Sequence, residues 1–176
     1  MKLHLGCGSK HIPGFVHVDL EDHPHIDFRI PVNKLIFAPD NSVELIYASH
    51  VLEHFGRHEV DQVLREWFRV LQKGGILRIA VPDFGAVSDR YQETGELSEL
   101  IGLVCGGQRN QYDFHKMVFD ERLLGQRLRN AGFISISRYD WRNTQHAVMD
   151  DYSQAYLPHM DKEGGRLMSL NVEAVK

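Results

Sequence analysis

Residues 2–20 read KLHLGCGSKHIPGFVHVDL, and this stretch decides the fold. It holds two short apolar runs of strand character, Leu3 to Leu5 and Phe15 to Val18, joined by a turn with Gly6 and Gly8 and closed by Asp19. A glycine pair directly after a buried strand lets a ligand come up against the backbone, where bare N–H groups can bind its polar atoms. An acid ending the next strand is placed to take two ribose hydroxyls. On its own a G-x-G also fits an ordinary strand-ending turn; its position between two strands, with the acid after them, points to a nucleoside site at the carboxyl ends of parallel strands. A dinucleotide fingerprint would put a third glycine where His11 stands and an acid about 20 residues further on, and Asp19 comes too early for that. Ser9 to Phe15, interrupted by Pro13-Gly14, also leaves no room for a long first helix. The ligand that fits is one nucleoside without a pyrophosphate.

The 176 residues suit a single domain, 1–176, with one sizeable core, and the 43% hydrophobic and 25% charged content is that of an ordinary soluble protein. No apolar run reaches the roughly 20 residues of a membrane span, and the N-terminus lacks a basic-then-apolar leader, so the sequence reads as a cytoplasmic protein. Cys7 and Cys105 form neither a metal spacing nor a disulfide framework and read as reduced packing residues. A formal charge of −4 disfavours nucleic acid as a partner. The one unusual count is eleven histidines.

Beyond Asp19, Pro24, Pro31 and Pro39 forbid a helix and leave at most a short strand around Ile26 to Phe28. Val43 to Ala48 reads as a buried strand. From Glu59 to Gln72, apolar residues at three- and four-residue steps make an amphipathic helix. Lys73-Gly74-Gly75 is expected to stop it, and Ile76 to Val81 to follow as a parallel strand. Residues 84–118, with a possible helix over Leu97 to Val104, read as a substrate-side cover. A helix capped by Asp120 ends at Gly132, Phe133 to Ser137 and Leu170 to Val175 are the final strands, and the span from Arg138 to about Arg166 is expected to be a long functional or partly disordered loop.

With LHLGCG and VDL, PDNSVELIYASHVLEHF, VLREWFRVLQKGGILRIAVPD and LLGQRLRNAGF in this order, the chain resembles the class I S-adenosylmethionine-dependent methyltransferases, in the small subgroup with a shortened first loop. The resemblance implies an α/β, three-layer Rossmann-like fold with a seven-stranded, mostly parallel sheet whose last strand is antiparallel. It implies S-adenosylmethionine as the cofactor, with the backbone of Leu5, Gly6, Cys7 and Gly8 facing its methionyl part, Asp19 holding its ribose hydroxyls, Leu20 as a further cofactor-binding residue, and Ala48, Ser49 and His50 beside the methionyl group. The family's acid in the adenine loop has no counterpart at Arg29 to Val32, which leaves Asp27 or backbone groups for that role.

His50-Val51-Leu52-Glu53-His54 also matches the inverted zinc-peptidase motif H-x-x-E-H. A zinc hydrolase would need a third ligand on a following helix, and no second motif appears downstream, so no metal ligand is assigned. His54 is then a cap or packing residue and Glu53 orders the loop. His4, alternating with Leu3 and Leu5, is expected to be a core histidine satisfied by a neighbour, and His23 and His25 to lie at the surface. Tyr112, Asp113 and His115 stand in a polar, glycine-containing segment that fits either a solvated loop or the acceptor site; His115 and Asp113 are the candidate bases. The function that follows is methyl transfer to a small-molecule acceptor; the alternative from another class is a donor-binding module without turnover.

Overall fold

The computed structural model describes residues 1–176. Seven strands form one sheet: β1 (Lys2–Leu5), β2 (Val16–Asp19), β3 (Phe28–Arg29), β4 (Val43–Ser49), β5 (Leu71–Pro82), β6 (Ile134–Arg138) and, last in the chain, β9 (Ser169–Val175). Their order is β3-β2-β1-β4-β5-β9-β6, with β9 alone antiparallel to its neighbours. A two-stranded ribbon, β7 (Tyr156–Leu157) with β8 (Arg166–Leu167), stands apart from it. The strand order reverses at β1, between β2 and β4, so connections leave in opposite directions there and open a crevice at the carboxyl ends.

One face of the sheet is apolar because alternate residues point the same way. Leu3, Ile46 and Leu77 are in register across β1, β4 and β5, as are Leu5, Ala48 and Ile79. They pack into a core of 27 residues under α1 (Val60–Val70) and α4 (Glu121–Ala131). Trp67 is fully buried there and its indole N–H donates to the Val32 carbonyl over 2.9 Å. Asp120 caps α4 by accepting from the Leu123 N–H, and Gly132 ends it in the left-handed conformation.

The opposite face carries a polar row in register across five strands: His17, His4, Tyr47, Arg78 and Glu173. With the loop between β1 and β2 too short for a helix, this face is covered by irregular chain. Tyr47 hydroxyl pairs with Asp151, its ring lies 4.0 Å from that of His146, and Arg78 bonds both Glu173 and His146. The span from Arg138 to Arg166, expected as an aperiodic loop, is therefore an ordered part of the third layer. It is held by side-chain bonds such as those from Gln154 to the carbonyls of Ala147 and Met149, which leave no period in the sequence.

Other expectations need correcting. The helix after β4 ends at Val70 with Leu71 already extended, and β5 runs from there; Gly74 and Gly75 form an irregularity within the strand pairing, between Val43↔Leu71 and Leu45↔Ile76. Gly75 is required because a Cβ would meet the Gln72 and Val43 carbonyl oxygens at 2.8 and 3.0 Å. The helix placed over Leu97 to Val104 is the shorter α3 (Ile101–Cys105), and α2 (Phe84–Thr94) was not anticipated because it buries only Val87. His4 is buried but not satisfied, since its Nδ1 has no partner. His25 is partly buried beside His11 and His17. No helix is long and apolar enough to cross a membrane.

Candidate functional site

The turn after β1 is fixed from both sides. Gly6 and Gly8 have φ of +61° and +49°, and the Gly6 N–H donates to the Val18 carbonyl over 2.8 Å. A Cβ on Gly6 would collide with Val51, so a side chain there is excluded both by conformation and by space. Asp19, at the end of β2, accepts from the Gly8 N–H over 2.7 Å on one oxygen and from the Glu21 N–H over 2.8 Å on the other. Each oxygen keeps a second lone pair for a ligand.

A cleft of about 1220 Å³ opens over these carboxyl ends. Of the residues anticipated for the cofactor, Gly6, Cys7, Gly8, Asp19, Leu20, Ser49 and His50 line it, while Leu5 and Ala48 lie behind with fully buried side chains. Burial, then Asp19 beside it, pushes the Cys7 thiol up to about 12, so it stays protonated and inert. Asp27 is elsewhere, accepting from the His17 N–H, and does not reach the cleft. Asn33 does, and its buried Oδ1 has no partner; the same is true of Ser49 Oγ. These orphaned atoms were not legible in the sequence, because being unpartnered is a property of the assembled pocket.

The motif His50 to His54 forms no helix face. His50 follows β4 directly, in the left-handed region with φ +54°, and Leu52–His54 is a single 3-10 turn. The inverted zinc-peptidase geometry is therefore absent. What the turn does is bury Glu53 completely, with neither carboxylate oxygen hydrogen-bonded. Its Oε1 lies 3.2 Å from His50 Nδ1 and 3.9 Å from His115 Nε2. Burial pushes the Glu53 carboxyl up to about 8 and His50 down to about 3, and burial likewise lowers His54 and His115. The Glu53 carbonyl accepts from the N–H groups of Lys116 and Met117, which holds the segment carrying His115 over the turn.

His115 is thus no solvated loop residue: its side chain is 8% exposed and its Nδ1 bonds the Leu103 carbonyl. Asp113 also faces the cleft, but it is bound to Arg109 at 2.7 Å, and that guanidinium holds its carboxyl below the ordinary range, which makes it a weak base. The far wall comes from the third layer, with Asp151, Tyr152, Tyr156, Met160 and Met168. Sequence reasoning missed this wall because nothing in 150–168 signals which side of the sheet it covers.

Residues 3–79 match the model of a family described as a methyltransferase domain. No curated protein matches the chain. Among solved structures, one from Thermotoga maritima, described as a "SAM-dependent methyltransferase, possible histamine N-methyltransferase", is 12% identical with a TM-score of 0.61, covering 99% of this chain and 81% of that one. A SAM-dependent methyltransferase from Archaeoglobus fulgidus is 14% identical, with a TM-score of 0.60 and coverage of 99% and 85%. The 1,6-didemethyltoxoflavin-N1-methyltransferase of Burkholderia thailandensis, solved with 1,6-didemethyltoxoflavin and S-adenosylhomocysteine, is 16% identical, with a TM-score of 0.58 and coverage of 99% and 70%. At these identities the likeness is one of fold.

Proposed function

We infer that this chain is an S-adenosylmethionine-dependent methyltransferase that methylates a small-molecule acceptor bound between the glycine turn and the Glu53 turn, a reading supported by the match of residues 3–79 to a methyltransferase domain and by the strand order. The observation that carries the reading is the convergence, in one cleft, of the Gly6 to Gly8 turn, the Asp19 carboxylate and the unpartnered Asn33 and Ser49 oxygens. These residues fit the cofactor. Asp19 would hold the ribose hydroxyls, the Gly6 to Gly8 backbone and Ser49 the methionyl part, and Asn33 Oδ1 would accept from the adenine amine.

When bound, the cofactor supplies a methyl group on an already activated sulfonium, so the protein's share of the work is alignment and exclusion of water. Residues 106–116 and 150–168 roof the cleft and perform that task. His50 and His115, buried and neutral, face the acceptor end, and His115 acts in the acceptor step while Asp113 holds Arg109 in the roof. That a protein of this fold was solved with 1,6-didemethyltoxoflavin supports a small acceptor here.

Calorimetric titration with S-adenosylhomocysteine tests the cofactor site, and incubation with S-adenosylmethionine and pools of metabolites, read by mass for a product one methylene heavier, tests turnover. Binding without any methylated product from any pool would favour a donor-binding module. Absence of binding would remove the reading altogether.

A further inference from the structure

The imidazoles of His54 and His115, with ring centroids 5.0 Å apart, share one protonation pattern. Nδ1 of His54 donates to the Phe114 carbonyl over 3.1 Å, and Nδ1 of His115 to the Leu103 carbonyl over 2.9 Å. A carbonyl only accepts, so both rings carry the proton on Nδ1 and the lone pair on Nε2. A backbone carbonyl fixing the tautomer and aiming the other nitrogen is the usual support of a metal-binding histidine. One ligand atom from each of Glu53, His54 and His115 lies within 4.8 Å of the other two. The carboxylate among them is 0% exposed, has no hydrogen-bond partner on either oxygen, and is approached by no lysine or arginine, only by His50 and His115. A carboxylate withdrawn from water needs a proton or positive charge.

We propose that Glu53, His54 and His115 bind a divalent transition-metal cation at the acceptor end of the cleft. Two imidazole nitrogens and one carboxylate oxygen suit zinc, iron(II) or cobalt(II), whereas magnesium and calcium favour oxygen shells. Three protein ligands with an open cleft side form the pattern of sites that bind a further molecule, as opposed to closed structural sites. Loading the site draws the three ligand atoms together, toward bonds of about 2.0–2.2 Å to the ion. The cation then takes the open position's ligand, and on the proposed methyltransferase reading that ligand is an acceptor hydroxyl. His115 acts in the acceptor step through the ion. Cation binding itself stands without that reading.

The test uses the whole chain stripped by a chelator, with Co²⁺ as probe, followed by visible absorption and equilibrium dialysis, and with S-adenosylhomocysteine titrated separately into each sample. One equivalent of Co²⁺ is expected. Glu53→Gln and His54→Ala should each weaken it by at least about 100-fold, whereas His25→Asn, in the separate histidine group with His11 and His17, should leave it unchanged. Glu53→Gln keeps the buried shape without the charge, and the partly exposed His54 gives a second variant should the first unfold. Retained Co²⁺ affinity in either folded variant overturns the site. Wild-type protein that binds S-adenosylhomocysteine but no Co²⁺ overturns the metal proposal alone; Co²⁺ bound at these residues without S-adenosylhomocysteine binding supports it and removes the methyltransferase reading instead.

Discussion

Gly6 and Val51 touch so closely that the Val51 side chain occupies the space a Gly6 side chain would need. The contact joins the end of β1 to the segment after β4, the two strands that border the switch in strand order. It makes the floor of the cleft a shared surface of two loops.

Gly6→Ala is therefore expected to weaken folding as well as cofactor binding. A non-glycine residue in the left-handed region costs about 1–2 kcal/mol, and the overlap with Val51 adds to it. Each kcal/mol lowers the melting temperature by about 2–4 °C in a protein of this size. Adding Val51→Ala should recover the steric part and leave the conformational part. Thermal unfolding of both variants checks this; additive losses would show that the two residues do not compete for space.

Asp19→Asn separates the two tasks of that carboxylate. The amide oxygen can still accept from the Gly8 N–H and so hold the glycine turn, while the charge and the acceptor for the Glu21 N–H are lost. Affinity for S-adenosylhomocysteine should fall by about 1.5–3 kcal/mol, the worth of hydrogen bonds to a charged group. Calorimetry reads the change directly. An unaltered dissociation constant would place the ribose elsewhere.

On the proposed reading, His115→Ala should lower turnover about a hundredfold or more with S-adenosylhomocysteine affinity nearly intact, because the residue lines the cleft away from the glycine turn and Asp19. Asp113→Asn, which loses its ion pair with Arg109, should raise the acceptor KM with a smaller effect on kcat. Steady-state kinetics with both variants would expose the opposite assignment, a large kcat loss in the Asp113 variant alone.

His4 provides a pH dependence. Burial, helped by His17 and His146, pushes it down to about 3 from an ordinary 6.5, so between these values the unfolded chain binds a proton that the folded chain refuses. Its unfavourable effect is absent above about pH 6.5 and grows as pH falls toward 3, by up to about 1.4 kcal/mol per pH unit. His4→Phe should reduce the loss of stability between pH 7 and pH 5 by about 1–2 kcal/mol. Urea unfolding at the two pH values measures it, and an identical loss in both proteins would show that His4 does not titrate this way.

What the sequence made legible was local. β1, the glycine turn, β2 and Asp19 follow one another within 18 residues, and the Asp120 and Gly132 caps stand beside the helix they bound. The Gly74-Gly75 pair misled because the same residues serve a helix end and a crowded strand irregularity, and only the carbonyls of Gln72 and Val43 decide between them. The Glu53 environment was not legible at all. The groups around it come from His50 just after β4, from the turn itself and from residue 115, and the motif suggested a helix where a single 3-10 turn stands.

His50 bonds Ser169, Ser169 bonds the Asn171 side-chain carbonyl, and the Asn171 amide donates to the Ser153 carbonyl. The Asn171 orientation is thereby forced, the Ser169 proton goes to Asn171, and His50 must present its own proton to Ser169 and its bare Nδ1 to Glu53. Ser169 and Asn171 belong to β9, which lies between β5 and β6 although it follows β6 in the chain. The position of the hydrogen atom on His50 is thus set by β9, a strand that touches neither Gly6 nor Asp19, so a change that shifts the pairing of β5 with β9 would rewrite the protonation pattern beside Glu53 while leaving the glycine turn as it is.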